Sequence, residues 1–393
     1  MDRLRINSSN SMGFLLRVGT GSIRYTAPGM SMQTGVSYFS ARTLRHVRAD
    51  LQDIVDHGCT YVVHCYTETD LAYYRETMRE VTQATHEAGL EVWFDPWGLG
   101  GIFSGETFTR FPLEHPETWQ VLSDGRRAPA ACPNHPDTRA FLRGWVEACA
   151  AAGGDVLFWD EPHFYVTLWR GDLSGAWACR CDACRALYRD RSGGEMPAEF
   201  TPAVRAFREA SLLDLLAELC RLGHEKGLRN ALCLIPTDLA ARGFPQQEER
   251  LRRALESRLA DAPPGSLEAM LHIGVGDFES AAALPDLDIF GCDPYWYLFG
   301  AEPEPFMRAY SRAAAEAARR HSRGLQLWVQ AFSVPAGREE ELRQGLRVAQ
   351  EVDASHVAAW SYEATASMSQ IRCANPDLVW RILGEEFRRL KGE

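Results

Sequence analysis

The sequence predicts an α/β protein folded as a (β/α)8 TIM barrel with long loops at its C-terminal face. Three observations predict it. Eight short apolar runs, rich in β-branched and aromatic residues, alternate with longer amphipathic stretches. The runs are apolar on both faces, as parallel strands buried beneath helices must be. Several amphipathic stretches stop at a glycine just before the next run, at Gly58, Gly89, Gly227 and Gly324, and glycine tolerates the left-handed conformation that closes a helix. Repeated strand-then-helix units of this number favour a closed barrel over an open sheet.

In chain order, strands are expected at 35–40, 61–66, 90–95, 155–161, 229–236, 287–294, 325–331 and 356–363. Helices are expected at 43–57, 72–88, 137–152, 201–226, 247–260, 304–320, 338–352 and 376–390. Within 201–226, Leu212, Leu213, Leu215, Leu216 and Leu219 give one apolar face of helical period. The segment 270–277 also reads as a short strand. Two long loops, 97–136 and 162–202, follow the third and fourth strands, on the side where barrels build their sites. Residues 1–33 carry Gly-Thr-Gly and Pro-Gly-Met and are expected to form a cap or hairpin, leaving 34–393 as the barrel domain.

The chain has 393 residues, 46% of them hydrophobic, enough for one large core. Its net charge of −11 and lack of a basic stripe argue against a nucleic-acid partner. No apolar run approaches the length of a membrane helix, and the first ten residues lack an apolar signal core. Eleven scattered cysteines, an odd number, do not make a secreted disulfide framework. The expectation is a cytoplasmic protein in a reducing compartment, with no membrane partner.

The cysteines are not all scattered. Cys179, Cys181 and Cys184 form C-x-C-x2-C, interleaved with Arg180, Asp182 and Arg185 in a loop-like stretch. Buried apolar cysteines would not sit among such charges. Clustered thiolates are held together by a cation, and zinc takes four sulfurs in a tetrahedron. Cys132 is the expected fourth ligand, with His135 and His163 as substitutes. Four thiolates leave no open coordination position, so this zinc is expected to be structural and to pin the two long loops.

Side chains at the C-terminal strand ends of a barrel converge on one pocket. Those ends carry His64, Asp95, Asp160, Glu161, Asp293, Gln330 and Glu363. Three of the carboxylates share a setting: Trp-Phe-Asp-Pro-Trp, Trp-Asp-Glu-Pro and Cys-Asp-Pro-Tyr-Trp. The following proline ends the strand and keeps the carboxylate at its tip. Strand-end Asp95 serves equally well as a cap for the next element. An apolar flank would raise the pKa of Glu161, as an acid catalyst requires. Aromatics gather at the same level: Trp97, Trp159, Trp169, Tyr295, Trp296, Tyr297, Phe332, Trp360 and Tyr362. Sugar rings stack on such faces while carboxylates and amides bind their hydroxyls. Trp93, Trp145, Trp328 and Trp380 read as core.

At these residues the chain resembles a clan A glycoside hydrolase, and is most similar to the beta-galactosidases of glycoside hydrolase family 42. Trp159-Asp160-Glu161 at the fourth strand, followed by Cys179-x-Cys181-x2-Cys184 with Cys132 upstream, carries the resemblance. It implies a (β/α)8 barrel, a structural zinc held by these four cysteines, and Glu161 as acid/base. It also leaves a homo-oligomer open, since clan relatives assemble. There are two departures. Asp160 stands where the family has asparagine, and Gln330 stands on the seventh strand where its nucleophilic glutamate belongs. The chain is therefore placed as a more distant, barrel-shaped glycosyl hydrolase.

The expected mechanism follows. Glu161 protonates the glycosidic oxygen of a carbohydrate. Asp293, or otherwise Glu363, attacks or activates water. Asp160, Asp95, His64 and Gln330 hold sugar hydroxyls, and Trp97, Tyr295, Trp296 and Trp360 supply stacking faces. Two rival readings are a carbohydrate-binding barrel that has lost its nucleophile and a zinc-dependent hydrolase or transferase. The second needs an open metal position, and no H-x-H or H-E-x-x-H is present to build one. Gly19-x-Gly21 neither follows a strand nor opens a helix, so no phosphate cradle is indicated.

Overall fold

The computed structural model describes residues 32–105, 107–259 and 262–392. The cap expected over 1–33 lies, but for its last two residues, outside the described residues. Eight strands form the barrel: β1 (Gln33–Tyr38), β2 (Tyr61–Cys65), β3 (Glu91–Asp95), β4 (Val156–Asp160), β5 (Arg229–Leu234), β6 (Ile289–Cys292), β7 (Gly324–Gln330) and β8 (His356–Trp360). Each pairs in parallel with its sequence neighbour, and β8 pairs with β1 to close the cylinder. The expected strands are all present, most of them trimmed by one to three residues at the C-terminal end. There the prolines and turns draw the chain into loops.

The main covering helices are α1 (Leu44–Asp56), α2 (Arg75–Glu87), α3 (Pro136–Ala152), α4 (Pro202–Glu225), α5 (Pro245–Arg258), α6 (Pro303–Arg320), α7 (Glu341–Glu351) and α8 (Pro376–Lys391). The leucine face of α4 packs inward, with Leu212, Leu215, Leu216 and Leu219 buried. The expected helix over 72–88 is instead two. A short helix, Glu68–Tyr73, is started by Thr67 and Asp70, whose side chains and backbones cap each other, and α2 follows it.

Strand alternation sends every second side chain into the barrel. Its lower interior is closed by large rings. Tyr61 stacks on Trp93 at 4.6 Å, and Phe158 meets Trp328 at 5.1 Å. Gln326 Nε2 donates to Tyr61 Oη at 3.0 Å and its Oε1 accepts from Trp328 Nε1 at 3.1 Å, so the buried polar groups there are paired. The lower part of the cylinder is a plugged core.

Both long loops contain structure that their sequences did not announce. The first folds back as an antiparallel hairpin, Trp119–Val121 with Arg127–Ala131. The second carries a helix, Asp182–Ser192. A three-residue strand has too little alternation to read. The segment 270–277 is not a strand: it begins inside a helix, Ser266–Leu271, and continues into an isolated bridge between His163 and Gly274. Among the described residues no helix is long and apolar enough to cross a membrane.

Candidate active site and cysteine cluster

The mouth is built on the last inward positions of the strands. Cys65, Cys233 and Trp360 line it, and the same alternation turns Asp95, Asp160 and Gln330 inward. Asp293 follows β6 directly and is 2% exposed. Its Oδ1 has no hydrogen-bond partner. Burial, reinforced by the charges of Glu161 and Asp160, holds the Asp293 carboxyl well above the usual carboxylate range. The Tyr295 phenol is raised in the same way, by burial first and then by Asp293.

Glu161 sits half-buried at the tip of β4 with a left-handed backbone, φ 37°. That conformation is unfavourable for a residue with a Cβ and persists only where neighbours enforce it. The neighbours are on hand. Glu161 N–H donates to Cys233 O at 3.1 Å, and His163 Nδ1 meets Glu161 O at 2.8 Å. Ser104 Oγ–H donates to Glu161 Oε2 at 2.5 Å, and Ser104 N–H donates to Asp160 O at 3.1 Å. Ser104 lies in a Gly-Ile-Phe-Ser-Gly run with no chemical signature, so the sequence did not single it out.

Rings wall the mouth. Phe39 stacks on Trp97 at 4.8 Å and lies 5.7 Å from Trp360. Phe332 meets Tyr295 edge-on at 5.1 Å. Gly105, at φ +144°, makes room for Trp97: a Cβ there would come within 2.0 Å of the indole. Phe39 was not anticipated, although the alternation of Gly35, Ser37 and Phe39 would have turned it inward. Asp95 lies at the bottom, fully buried, and accepts from Cys65 Sγ at 3.6 Å.

Several expected site residues face elsewhere. His64 alternates outward with Tyr38 and pairs its Nε2 with Thr85 Oγ1 of α2 at 3.0 Å. Trp296 is fully buried toward the helical layer, against Gly345, with its Nε1 donating to Glu341 Oε2 at 3.2 Å. Trp159 also points outward and donates to Asn230 Oδ1. Glu363 is exposed on the outside, in the company of Asp50, Asp53 and Asp377. The chain leaves β8 through a turn with left-handed residues from Glu363 to Thr365, which carries that carboxylate away from the pocket. Gln330 does face the mouth. Its amide, however, is used by backbone: Oε1 accepts from Leu298 N–H at 3.3 Å and Nε2 donates to Phe332 O at 3.0 Å.

The four cysteines converge as their spacing suggested. The Sγ atoms of Cys132, Cys179, Cys181 and Cys184 all lie within 4.8 Å of one another, close to the edge of about 3.8 Å that a tetrahedron with 2.3 Å zinc–sulfur bonds requires. Among the described residues no other set of three or more ligating side chains is drawn together this way, so the mouth carboxylates do not form a comparable set. His135 and His163 stand outside the cluster. The hairpin brings Val121 N–H to Cys179 Sγ at 3.4 Å. Asn134 N–H reaches Cys132 Sγ at 3.4 Å and its side-chain amide reaches Cys184 Sγ at 3.3 Å. Cys184 lies in the first turn of Asp182–Ser192, where helix N–H groups favour a thiolate. Burial pushes the Cys132 thiol up, while hydrogen bonds from the other three thiols hold Cys181 far down. Sulfurs accepting N–H donors around a buried centre are a donor set suited to a thiophilic cation.

No family model and no curated protein sequence matches the chain. Solved structures do. An endo-1,4-beta-mannanase from Rhizomucor miehei is 9% identical, over 93% of this chain and 97% of that one, with a TM-score of 0.56. A D-allulose 3-epimerase from Methylomonas sp. is 10% identical over 92% and 98%, with a TM-score of 0.44. An endo-beta-1,4-mannanase from Thermotoga petrophila is 10% identical over 92% and 77%, with a TM-score of 0.37. The first of these bears out the TIM-barrel fold.

Proposed function

We propose that the chain is a glycoside hydrolase whose Glu161 and Asp293 act as a carboxyl pair at the barrel mouth, with a structural zinc held by Cys132, Cys179, Cys181 and Cys184. The observation that carries the reading is two acidic side chains at strand tips of the mouth, Asp293 buried with an unpartnered Oδ1 and Glu161 half-buried and bearing on its carboxyl. Burial first, then the neighbouring acidic side chains, disfavours the charged form of Asp293. Glu161 Oε2 accepts from Ser104.

This division reverses the roles expected from the sequence. Asp293 protonates the glycosidic oxygen, and Glu161 faces the anomeric carbon as nucleophile or activates the attacking water. The glycosidic oxygen must enter between the two carboxyls, whose separation with substrate bound would be ~5 Å for a retaining or ~6.5–9.5 Å for an inverting course. Phe39, Trp97 and Trp360 provide apolar faces for the sugar, and Asp160 and Tyr295 stand at hydroxyl level. The neighbouring mannanase shows that a barrel of this shape can carry a glycosidase, and the sugar and linkage here are left to experiment. The zinc would brace the loops that hold Glu161 and Ser104.

The test is leaving-group dependence. Asp293→Asn should lose about 10²–10⁴-fold on alkyl or sugar leaving groups and keep most of its rate on dinitrophenyl glycosides, which need no acid. Glu161→Gln should lose activity on both. The opposite pattern would return the acid role to Glu161. Turnover unchanged in both variants would remove the reading. Sugar binding with no cleavage across a broad panel would favour a binding barrel, a reading supported by the structural use of the Gln330 amide.

A further inference from the structure

On the helix that reaches the cysteine cluster through Ser211 and Asn134 lies a buried cation with no ion pair among the described residues. Arg208, on α4, is 3% exposed. Its Nη1 donates to His272 O at 3.1 Å and its Nη2 to Ile273 O at 3.4 Å, while its Nε has no acceptor. The guanidinium lies over the rings of Phe164 and Phe200, at 4.7 and 5.2 Å. Among the described residues it forms no ion pair, and the adjacent Glu209 is engaged by Arg205. A guanidinium cannot shed its proton in a protein, and a buried charge is costly unless an opposite charge answers it. The acidic groups that act on it most strongly are Cys179 and Cys184. As neutral thiols they answer nothing. As ligands in a zinc tetrathiolate they belong to a centre of net charge −2.

The other side of Arg208 leads to the active site. The carbonyl of Ile273 also accepts from Phe164 N–H at 3.0 Å, and His163 bridges Gly274. Gly274 allows this approach, since a Cβ there would lie 2.4 Å from Pro162 O. His163 in turn holds the carbonyl of Glu161. From the cysteine cluster to Glu161 the path runs Cys184, Asn134 and Ser211 of α4, then Arg208 one turn earlier on that helix, segment 272–274, segment 162–164 and Glu161.

We propose that Arg208 is the counter-cation of the tetrathiolate centre and a positioning residue that ties occupancy of that centre to the backbone placement of Glu161. This rests on the zinc part of the proposed function and not on the glycosidase part. With the metal in place, the guanidinium on its two carbonyls is answered by the net negative charge of the centre. Without it the guanidinium is an unanswered buried charge, and of the two arginines that anchor segment 272–274 to α4 only Arg205, on His272 Nε2, keeps its hold.

The experiment needs no substrate. Zinc transfer to a colorimetric chelator is followed for the full-length wild type, Arg208→Met and Arg208→Lys. Amide hydrogen exchange of segments 161–166 and 272–275 is measured on the same samples. Arg208→Met should release zinc about tenfold or more readily, in the range that groups outside the ligand sphere command. Arg208→Lys, which keeps the charge, should stay nearer the wild type. Exchange in both segments should rise in Arg208→Met and equally in chelated wild type. Wild-type zinc retention in Arg208→Met overturns the counter-cation role, as does an equal loss in Arg208→Lys. If Arg208→Met does not fold, Arg208→Lys and chelated wild type still decide: exchange at 161–166 unmoved by chelation overturns the coupling. A wild type that binds no zinc sinks the metal reading itself, an outcome distinct from a zinc-loaded wild type matched by its variants.

Discussion

The two halves of the barrel rim differ in how they hold their acids. After β3 and β4 the chain makes long excursions, yet Glu161 is fixed from several sides: by Cys233 O, by His163, by Ser104 and by the cysteine-pinned hairpin beyond. After β7 and β8 the chain turns more briefly, and its polar residues serve the frame. Gln330 ties two backbone segments together, and Glu363 leaves the pocket. Glu161 is thus held where the loops are long enough to be braced by structure of their own. A strand end that turns at once needs its polar side chains to satisfy the backbone.

The strongest way to break that contrast is to unpin the braced half. Cys132→Ser removes one of the four sulfurs and should lower unfolding stability by more than about 3 kcal/mol, as loss of a structural metal does. Denaturant melts should show chelated wild type falling to the level of the variant. A Cys132→Ser protein as stable as wild type, with no response to chelator, would mean that the cluster braces nothing.

Asp293 allows a subtler test, because its carboxyl is raised in the folded protein above its ordinary value of 3.8. The folded state therefore binds a proton that the unfolded state releases. The stabilisation is fully present below about pH 4 and is lost as pH rises through the folded-state pKa. Wild type should lose stability relative to Asp293→Asn as pH climbs from about 4 toward neutrality, the reverse of the trend for an ion-paired aspartate. A stability difference that does not change with pH would show that folding does not raise the Asp293 carboxyl.

On the plainer half, Gln330→Glu tests whether restoring a carboxylate restores a nucleophile. It should not. The new carboxylate would replace the amide donor facing Phe332 O with an acceptor. We expect a cost of about 1–3 kcal/mol in thermal or denaturant melts, the penalty of an unsatisfied buried group, and no gain in turnover on any glycoside that wild type cleaves.

What the sequence made legible divides along similar lines. The barrel was readable because eight apolar runs and their glycine stops repeat one physical pattern. The cysteines were readable because C-x-C-x2-C is a local spacing with few other uses. Ser104 and Arg208 were not, since their roles come from contacts across 57 residues in one case and 64 and 65 in the other. Strand-end side chains were readable only by parity. Asp293 keeps the inward phase of β6. His64 and Trp296 are polar or aromatic residues in the wrong phase, and a single residue of register sends a side chain to the opposite face.

Glu363 is the sharpest case of that parity and the smallest expected effect. It stands three residues beyond the inward Trp360, so simple alternation would send it outward. A turn that reset the phase could have brought it back. The turn does break the phase, since Tyr362 packs edge-on against Trp380 of α8 at 5.4 Å instead of entering the mouth, but Glu363 still emerges outside, beside Asp50, Asp53 and Asp377. Burial, aided by these like charges, raises its carboxyl, so neutralising it relieves a mild repulsion and touches nothing at the mouth. Glu363→Gln should leave turnover and its pH profile unchanged and shift stability by no more than about 0.5 kcal/mol. Rate measurements across pH on Glu363→Gln and Asp293→Asn together would separate the two candidate partners of Glu161. A large loss in Glu363→Gln, with Asp293→Asn intact, would mean that the turn after β8 adopts another course when substrate is bound.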